Sequence, residues 1–491
     1  MALTTKGLAR AVQAAQCKSG SDPINTTDEA IMGLTHDVAK FIARTRYEDL
    51  PPKQIQAAKD LILDSLGASI SGAHEQATDI VTQFAMEGGG GGGCGVVGRG
   101  FKTSLNNAAL INGTSVHATE LESLGQFTGS NAFTVIPVAL AVAEKFGLSG
   151  KAVLEAVIIG LDVQVKIGMG GPGVFDKGFS SIGMFGVFGS TVAAGKLMGF
   201  TVEQMQHAIG IGISQCSGQL RLHGSTSHYV ESGFGCRAGV TAAMLAKGGL
   251  TSDPNLIEGK QGFYELYSSD GRGYDAEHVA EKLGNPFCVS DIFIKKYGNC
   301  FLNHRSMDAL AQMIEEHKFS DDDVAHVRAE IPPFIHDILG RFPEPLTGDE
   351  ARFNLNHALA AILADGKPDM PYLKPFTDAG ALDPRYKAAR DKVEVIVRTD
   401  WTGGRASPYS QPVTVTLKSG QQFTKAVDAR NLKGGADNPL SKEEMLTRHR
   451  NLTTGFLSPD QVERTIDLVD RLEQLDSITE LMDIVTYGKK S

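Results

Sequence analysis

Cysteine in metal-binding or redox-active spacing is missing from this chain. The six cysteines (Cys17, Cys94, Cys216, Cys236, Cys288 and Cys300) form no C-x-x-C pair and no zinc-ligand pattern. Without a secretory signal an even count is poor ground for a disulfide framework, so free thiols in a reducing compartment are expected. Any run of about 18 apolar residues is also missing, which argues against a membrane-spanning helix. Positive charge is in deficit. The formal net charge is −10 and no Lys/Arg stripe with interleaved aromatics occurs, so nucleic acid is not an expected partner. Two glycine motifs lack the context that would give them meaning. Gly88–Gly93 is an unbroken glycine run, with no strand before it, no helix after it and no closing Lys-Ser/Thr, and reads as a flexible surface loop. Gly168–Gly173, GMGGPG, spells a dinucleotide fingerprint but follows a helical pattern, and no ribose-binding acid follows in a second strand.

What is present is ordinary soluble-protein composition, 42% hydrophobic and 21% charged, over 491 residues, a length that suggests two domains. Glycine is abundant, and several glycines (Gly186, Gly189, Gly195, Gly210, Gly212) sit inside apolar helical stretches, where they permit close helix approach. Residues 1–34 read as a poorly ordered N-terminal extension. Met1–Gly20 carries Lys6, Arg10 and Lys18 without an acid, a faint transit-peptide character. A cytoplasmic location is expected, with the mitochondrial matrix as the alternative. Helical periodicity runs from Thr35 to the residues before Cys288, almost without interruption. It includes Asp79–Met86, Leu105–Thr119, Asn131–Phe146, Lys151–Ile167 and a helix opened by Ser180 and Ser181. Thr201–Ser214 follows, with Thr201 and Gln204 spelling a capping box. The texture then changes. Short β-rich runs appear at Ile292–Lys295, Val327–Ile331, Val393–Val397, Val413–Leu417 and Gln422–Val427, the last two joined by a hairpin turn at Lys418–Gly420. Asn303–His317 and Glu350–Asp365 are helical, and helices return at Ser441–His449 and Ser458–Leu472. The expected fold is therefore mainly α. A large all-α domain is built from both chain ends (35–291 and 438–491), with a smaller α/β lid (292–437) inserted.

The chemistry-bearing stretch is Gly218–Gly233, GQLRLHGSTSHYVESG, between the apolar helical segments Ala208–Cys216 and Cys236–Ala246. Its small polar residues compete with helix formation, so a loop is expected that presents Arg221, His223, His228 and Tyr229. Taken alone, the stretch reads sooner as a surface connector carrying incidental histidines.

Motifs in a fixed order give it more weight. LPPKQIQAAKDLILDSLGASISG, INGTSVHATELES, TVAAGKLMGFTVEQMQHAIGI, GCRAGVTAAMLAKGGLTSDPNLIEGKQGFYELY, IKKYGNC, GDEARFNLNHALAAILADG and KSGQQFTKAVD together resemble the MmgE/PrpD family over roughly Thr35–Leu472. That family includes 2-methylcitrate dehydratase, cis-aconitate decarboxylase and iminodisuccinate epimerase. The resemblance implies a helical domain with a central lid, a cleft between them and a homodimer. It also implies chemistry on small polycarboxylates with neither metal nor organic cofactor. Glu120 and Glu122 stand where the family's dehydratases and decarboxylases carry an aspartate-rich segment. Two family histidines fall on Ser130 and Ser180, a loop lysine falls on His228, and a lysine after the domain boundary is kept as Lys295. These replacements point to a less charged or larger substrate, of the kind met in specialised metabolism.

Proton transfer beside a carboxylate needs an acid and a base poised near neutrality, and imidazole suits either role. His228, then His223, are the leading candidates, with Glu120 as base or as the group that orients His228. Arg221, Lys295 and Lys296 can hold a substrate carboxylate, each charge-assisted contact giving about 1.5–3 kcal/mol. Tyr229 and Tyr297 can donate to a leaving group or an enediolate oxygen, and the helix starting near Tyr229 offers anion-favouring N–H groups. Ordinary alternatives stand beside these: Lys296 a solvated lysine, Tyr297 a satisfied core residue, Glu122 a surface acid, His117 structural. Three functions remain open: a cofactor-independent dehydratase or decarboxylase on a small polycarboxylate or related hydroxy acid, an epimerase or isomerase shifting a proton beside a carboxylate, and a non-catalytic binder of a small organic acid.

Overall fold

The computed structural model describes residues 33–125, 131–171, 173–268, 274–366, 368, 370–401 and 411–489. Residues 1–32 of the expected N-terminal extension, with Cys17, and Ser130 lie outside them. Periodicity and capping predict most of the helices found. They are α1 (Leu34–Arg44), α2 (Pro52–Ser71), α3 (Gln76–Glu87), α4 (Leu105–Ser115), α5 (Ala132–Phe146), α6 (Gly150–Gly170), α7 (Ser181–Leu197) and α8 (Val202–Ile213). Thr201 and Gln204 form the expected reciprocal cap of α8. Two expectations are corrected in this half. A short hairpin, β1 (Cys94–Val96) with β2 (Phe101–Thr103), interrupts the all-α run. The central helix α9 (Thr226–Lys247) begins inside the expected loop, so His228 and Tyr229 sit in its first turn. Ser225 ends the loop; its hydroxyl bonds back to the Leu222 carbonyl rather than capping the helix.

The second half holds α10 (Phe301–His317), α11 (Leu355–Asp365), α12 (Lys442–Thr453), α13 (Pro459–Asp470) and α14 (Thr479–Tyr487). Glu350–Asp365 is two helices, Gly348–Arg352 and α11, because Asn354 breaks the chain to cap the second through the His357 N–H. Two further strand sets complete the β structure of the described residues. β3 (Leu124–Gly125) pairs antiparallel with β4 (Ile292–Phe293). A four-stranded sheet has the order β6 (Val393–Val397), β5 (Val324–Ile331), β7 (Val413–Leu417), β8 (Gln422–Lys425). β5 and β6 run parallel, and the other two pairs are antiparallel.

The apolar residues gather into two main cores. One draws on residues from Leu34 to Ile294 and again from Met445 to Val485, and so joins both ends of the chain. The other runs from Phe293 to Leu432 and fills the space between the mixed sheet and α10 and α11. Glycine makes the helical core dense. A Cβ on Gly186 would stand 2.8 Å from Thr134 Cγ2, and one on Gly195 would stand 2.8 Å from Met205 Cε. Only hydrogen fits at such distances, so the helices approach more closely than larger residues allow. Among the described residues no helix is long and apolar enough to cross a membrane.

Candidate active site

The site is assembled by three separate pieces of chain. The first follows α4. Thr114 and Ser115 bond back to the carbonyls of Leu110 and Asn112, and the helix tightens into turns through His117 to Glu120. Glu120 has φ +55°, a left-handed backbone that costs a non-glycine residue about 1 kcal/mol or more. The surroundings hold it there. Arg352 donates to the Ala118 carbonyl at 2.7 Å and Arg448 to that of Leu121 at 3.1 Å. Ser123 bonds Asp64, which also pairs with buried Arg448 at 2.6 Å. Helices from both chain ends, α2 and α12, thus hold the turn that carries Glu120 and Glu122.

The second piece is β4. Its two-residue pairing with β3 lays the Ile292–Lys295 segment beside the glutamates, and Lys295 follows directly. The Lys295 ammonium is 2.9 Å from Glu120 Oε2 and also bonds Glu122. The third piece is the first turn of α9. His228 Nδ1 meets Glu231 Oε2 at 3.0 Å, and His228 Nε2 lies 3.3 Å from Glu120 Oε1. His117 Nε2 reaches the same oxygen at 3.1 Å. Both imidazoles thus stand at ion-pair distance from Glu120 Oε1, an oxygen without a geometrically complete hydrogen bond. All six groups are buried.

Burial and charge set the protonation. Burial alone would raise Glu120, but Lys295 and the two imidazoles outweigh it and hold its carboxyl well below the usual range. Glu122 is pushed the other way, to about 8, by burial and then by the charge of Glu120. One proton, one lysine and two acids therefore form a unit in which Glu120 is the carboxylate and Glu122 the acid. His228 would be lowered by burial, yet Glu120 and Glu231 raise it to about 9. Burial, with the charges of His228 and Lys295, lowers His117 to about 4. At neutral pH the cluster holds a charged and a neutral imidazole, their ring centres 4.7 Å apart.

All of these groups except Glu231, which bonds His228, line one wall of a cavity of about 180 Å³. His223 joins them, its ring 4.2 Å from that of His228 and its Nδ1 against the Leu220 carbonyl. Ser180 is there too, as the cap of α7, with its hydroxyl 3.4 Å from Glu231 Oε2. The opposite wall comes from the second core and is largely apolar: Phe301, Pro332, Phe334, Ile335, Ile338 and Phe353.

The structure does not bring the other expected residues to the cavity. Arg221 is exposed and outside its lining. Lys296 lies over the Tyr297 ring and 3.5 Å from Asp308, and buried Tyr297 donates to Asp308 at 2.6 Å. The ordinary alternative holds for Tyr297, a core residue with its hydroxyl satisfied. The Tyr229 hydroxyl points away, to Asp349 at 2.9 Å and Arg352 at 3.1 Å. The first residue of α9, Thr226, lines a separate cleft with Tyr229 and Arg352, so the helix N-terminus is not part of the cavity lining. Two further corrections are Glu122, which is buried rather than on the surface, and His117, which stands in the cavity wall. Glu231 escaped sequence reasoning altogether. A signal existed: His117-Ala-Thr-Glu120 and His228-Tyr-Val-Glu231 repeat one His-x-x-Glu spacing, which puts each pair on one face of a helical turn.

His117, Glu120 and His228 converge within 4.8 Å, a ligand set that could hold a metal ion. The Lys295 ammonium, 2.9 Å from Glu120, already supplies positive charge to this carboxylate.

Comparison with known proteins gives the family of the chain. The family model of the MmgE/PrpD N-terminal domain matches residues 36–274 and that of the C-terminal domain matches residues 297–474. Cis-aconitate decarboxylase of Aspergillus terreus is 25% identical over 94% of this chain and 97% of its own. The cis-aconitate decarboxylase-like protein oryM of Aspergillus oryzae is 24% identical over 94% and 99%. Human cis-aconitate decarboxylase is 24% identical over 93% and 95%. With both halves matched in order and only short stretches of 36–474 left between them, the chain belongs to the MmgE/PrpD family.

Proposed function

We propose that this protein is a decarboxylase- or dehydratase-type lyase that works by proton transfer on an organic acid held in the cavity. The observation that carries the reading is Glu120: a buried carboxylate on a left-handed backbone, approached by His117, His228 and Lys295 at the cavity wall. Strained backbone persists where the surroundings over-determine it, and such residues cluster at active sites. The similarity to cis-aconitate decarboxylases along the whole chain supports the reaction class.

The cluster is rich in protons at neutral pH, since His228 and Lys295 are charged and Glu122 is neutral. Both lyase reactions need a donor. In a decarboxylation the bond to the departing carboxylate breaks, CO2 leaves, and the electron pair stays on the substrate. A proton from His228 or Glu122 then completes a new C–H bond. In a dehydration a base takes the proton beside the carboxylate, the pair forms a C=C bond, and hydroxide leaves as water with a donated proton. Neutral His117, whose Nδ1 has no hydrogen-bond partner, is the base this needs. Glu231 holds Nδ1 of His228, so Nε2 is the nitrogen that delivers.

Neighbouring neutral and charged imidazoles favour one further reading, an isomerase that removes and returns a proton without elimination. Incubation of the full-length protein in D2O with a panel of unsaturated and β-hydroxy carboxylic acids separates the possibilities by mass spectrometry. A lyase yields a product lighter by CO2 or water, with deuterium on carbon in the decarboxylation. An isomerase returns substrate of unchanged composition carrying deuterium. A protein that binds members of the panel and alters none of them is neither.

A further inference from the structure

Charge is distributed unevenly round the cavity. On the polar wall the charges cancel: Lys295 and His228 face Glu120 and Glu231, and each cation touches a carboxylate. Neither of these two cations is left free to neutralise an incoming anion. Across the cavity, among the described residues, stands one cation without such a partner. Arg305 lies one helical turn beyond Phe301 on α10, so both project from the same face, and both line the cavity. Its Nε donates to the Val427 carbonyl at 2.9 Å, which fixes the plane of the guanidinium. Its two terminal nitrogens make no hydrogen bond to a described residue. Asp428, the acid whose field it feels, is exposed and forms no ion pair with it. A half-buried guanidinium oriented by one carbonyl, with its fork open, is a carboxylate receptor in waiting. The wall it shares is mostly hydrocarbon, Phe301, Pro332, Phe334, Ile335 and Ile338, with buried Gln411 as a neutral polar exception.

We infer that the substrate is an amphipathic acid with a single carboxylate seated on Arg305 and an apolar chain against this wall, rather than a tricarboxylate. The inference rests on the cavity being the substrate site, as proposed above, but not on the reaction. A tricarboxylate would bring three negative charges to one open cation and oblige two of them to compete with Glu120 and Glu231 for partners already engaged. Buried charge without a partner is strongly disfavoured. A monocarboxylate meets one fork with one carboxylate and removes apolar surface from water on both sides.

Calorimetric titration of the full-length protein tests this with unreactive acids: butyrate, hexanoate and octanoate against propane-1,2,3-tricarboxylate. Hexanoate is expected to bind at least tenfold more tightly than the tricarboxylate. Each added methylene should tighten binding about fourfold until the cavity is full. Arg305→Gln should weaken hexanoate about 10- to 100-fold, with Arg305→Lys recovering part of the loss. Tighter binding of the tricarboxylate, a flat chain-length series, or indifference of hexanoate to Arg305→Gln would overturn the inference. The chain-length series on the unaltered protein decides the matter if Arg305→Gln does not fold. Monocarboxylate binding with no turnover of any acid would remove the lyase reading and leave this one. Turnover of a tricarboxylate at a rate untouched by Arg305→Gln would do the reverse.

Discussion

His228 and Tyr229 are neighbours in one turn of α9, both buried, and they belong to different devices. His228 enters the Glu120 network, where His117 Nδ1, Glu120 Oε1 and Glu122 Oε2 lack hydrogen-bond partners. Tyr229 enters a clamp centred on Arg352, in which every side-chain nitrogen is used. Nε donates to the Phe376 carbonyl, Nη1 to the Ala118 carbonyl, Tyr229 and Asp349, and Nη2 to Glu75. The clamp ties α9, the turn after α4 and the loop before α3 to the short helix Gly348–Arg352. Each cluster has a buried, charged centre, so burial there does not distinguish them. Completeness does. A network with every donor used is there to hold the chain, even where it borders a cleft, whereas one that leaves atoms unpaired at a cavity wall has room for a ligand to complete it.

The largest expected effect tests this contrast directly. His228→Asn should lower turnover about 100- to 10,000-fold, the range for losing a general acid or base. Tyr229→Phe should keep turnover within about threefold and cost about 2–3 kcal/mol of stability, for the two hydrogen bonds to charged groups that its hydroxyl makes. Steady-state kinetics beside urea melts check both. If the tyrosine variant were the dead one, the roles assigned to the two residues would be inverted.

Next in size is the clamp itself. Arg352→Met leaves Asp349 and Tyr229 facing a hydrophobe. Removing one partner of a buried charge pair costs about 3–5 kcal/mol, and partial exposure of Glu75 and Asp349 sets the expectation at the low end. The urea midpoint should fall accordingly, while turnover per folded molecule changes far less than in His228→Asn. Equal loss of turnover in the two variants would mean that the clamp is part of the chemistry.

How much of this contrast could be read in the chain depended on range. Local signals were legible: the Thr201–Gln204 cap, the hairpin at Lys418–Gly420 and the long amphipathic helices all sit within a few residues of their cause. The candidate site was legible at His228, Glu120 and Lys295 because each falls in a motif of the family. The pairing of β3 with β4 was not legible. Two residues meet two others about 170 positions away, with no alternation long enough to mark a strand. That pairing is what buries Glu122 against Lys295. The opposite facing of His228 and Tyr229 was equally hidden, because α9 was expected to start too late to give them faces. Arg305 carried no local mark at all, since an arginine on an amphipathic helix is ordinarily solvated.

pH sharpens the comparison further. The folded His228 is raised to about 9 from 6.5 and Glu122 to about 8 from 4.5. For both groups the folded protein binds its proton more tightly than the unfolded chain does. Their contributions to stability are therefore present in full below the unfolded values, near 6.5 and 4.5, and are lost as pH rises to about 9 and 8. Activity should follow the same protons, so kcat/KM is expected to fall on an alkaline limb between about pH 8 and 9. Glu122→Gln should alter the shape of that limb and Tyr229→Phe should not. A profile flat to pH 10 in the unaltered protein would mean that neither proton is used.

The smallest effect is expected at Ser180, which lies at the edge of the network. Its hydroxyl accepts from the Ile182 N–H at 3.3 Å as the cap of α7, and it is 3.4 Å from the Glu231 oxygen that also holds His228. The first contact is a stability device, worth about 1 kcal/mol when a capping serine becomes alanine. The second is long, and Glu231 keeps its bonds to His228 and to the Gln219 N–H without it. Ser180→Ala should therefore lower stability by about 1 kcal/mol and turnover by less than about threefold, with the alkaline limb unmoved. Should the limb shift while stability stays, Ser180 sets the charge on Glu231, and the boundary between the holding and the reacting parts of the molecule runs one residue further out, through the first turn of α7.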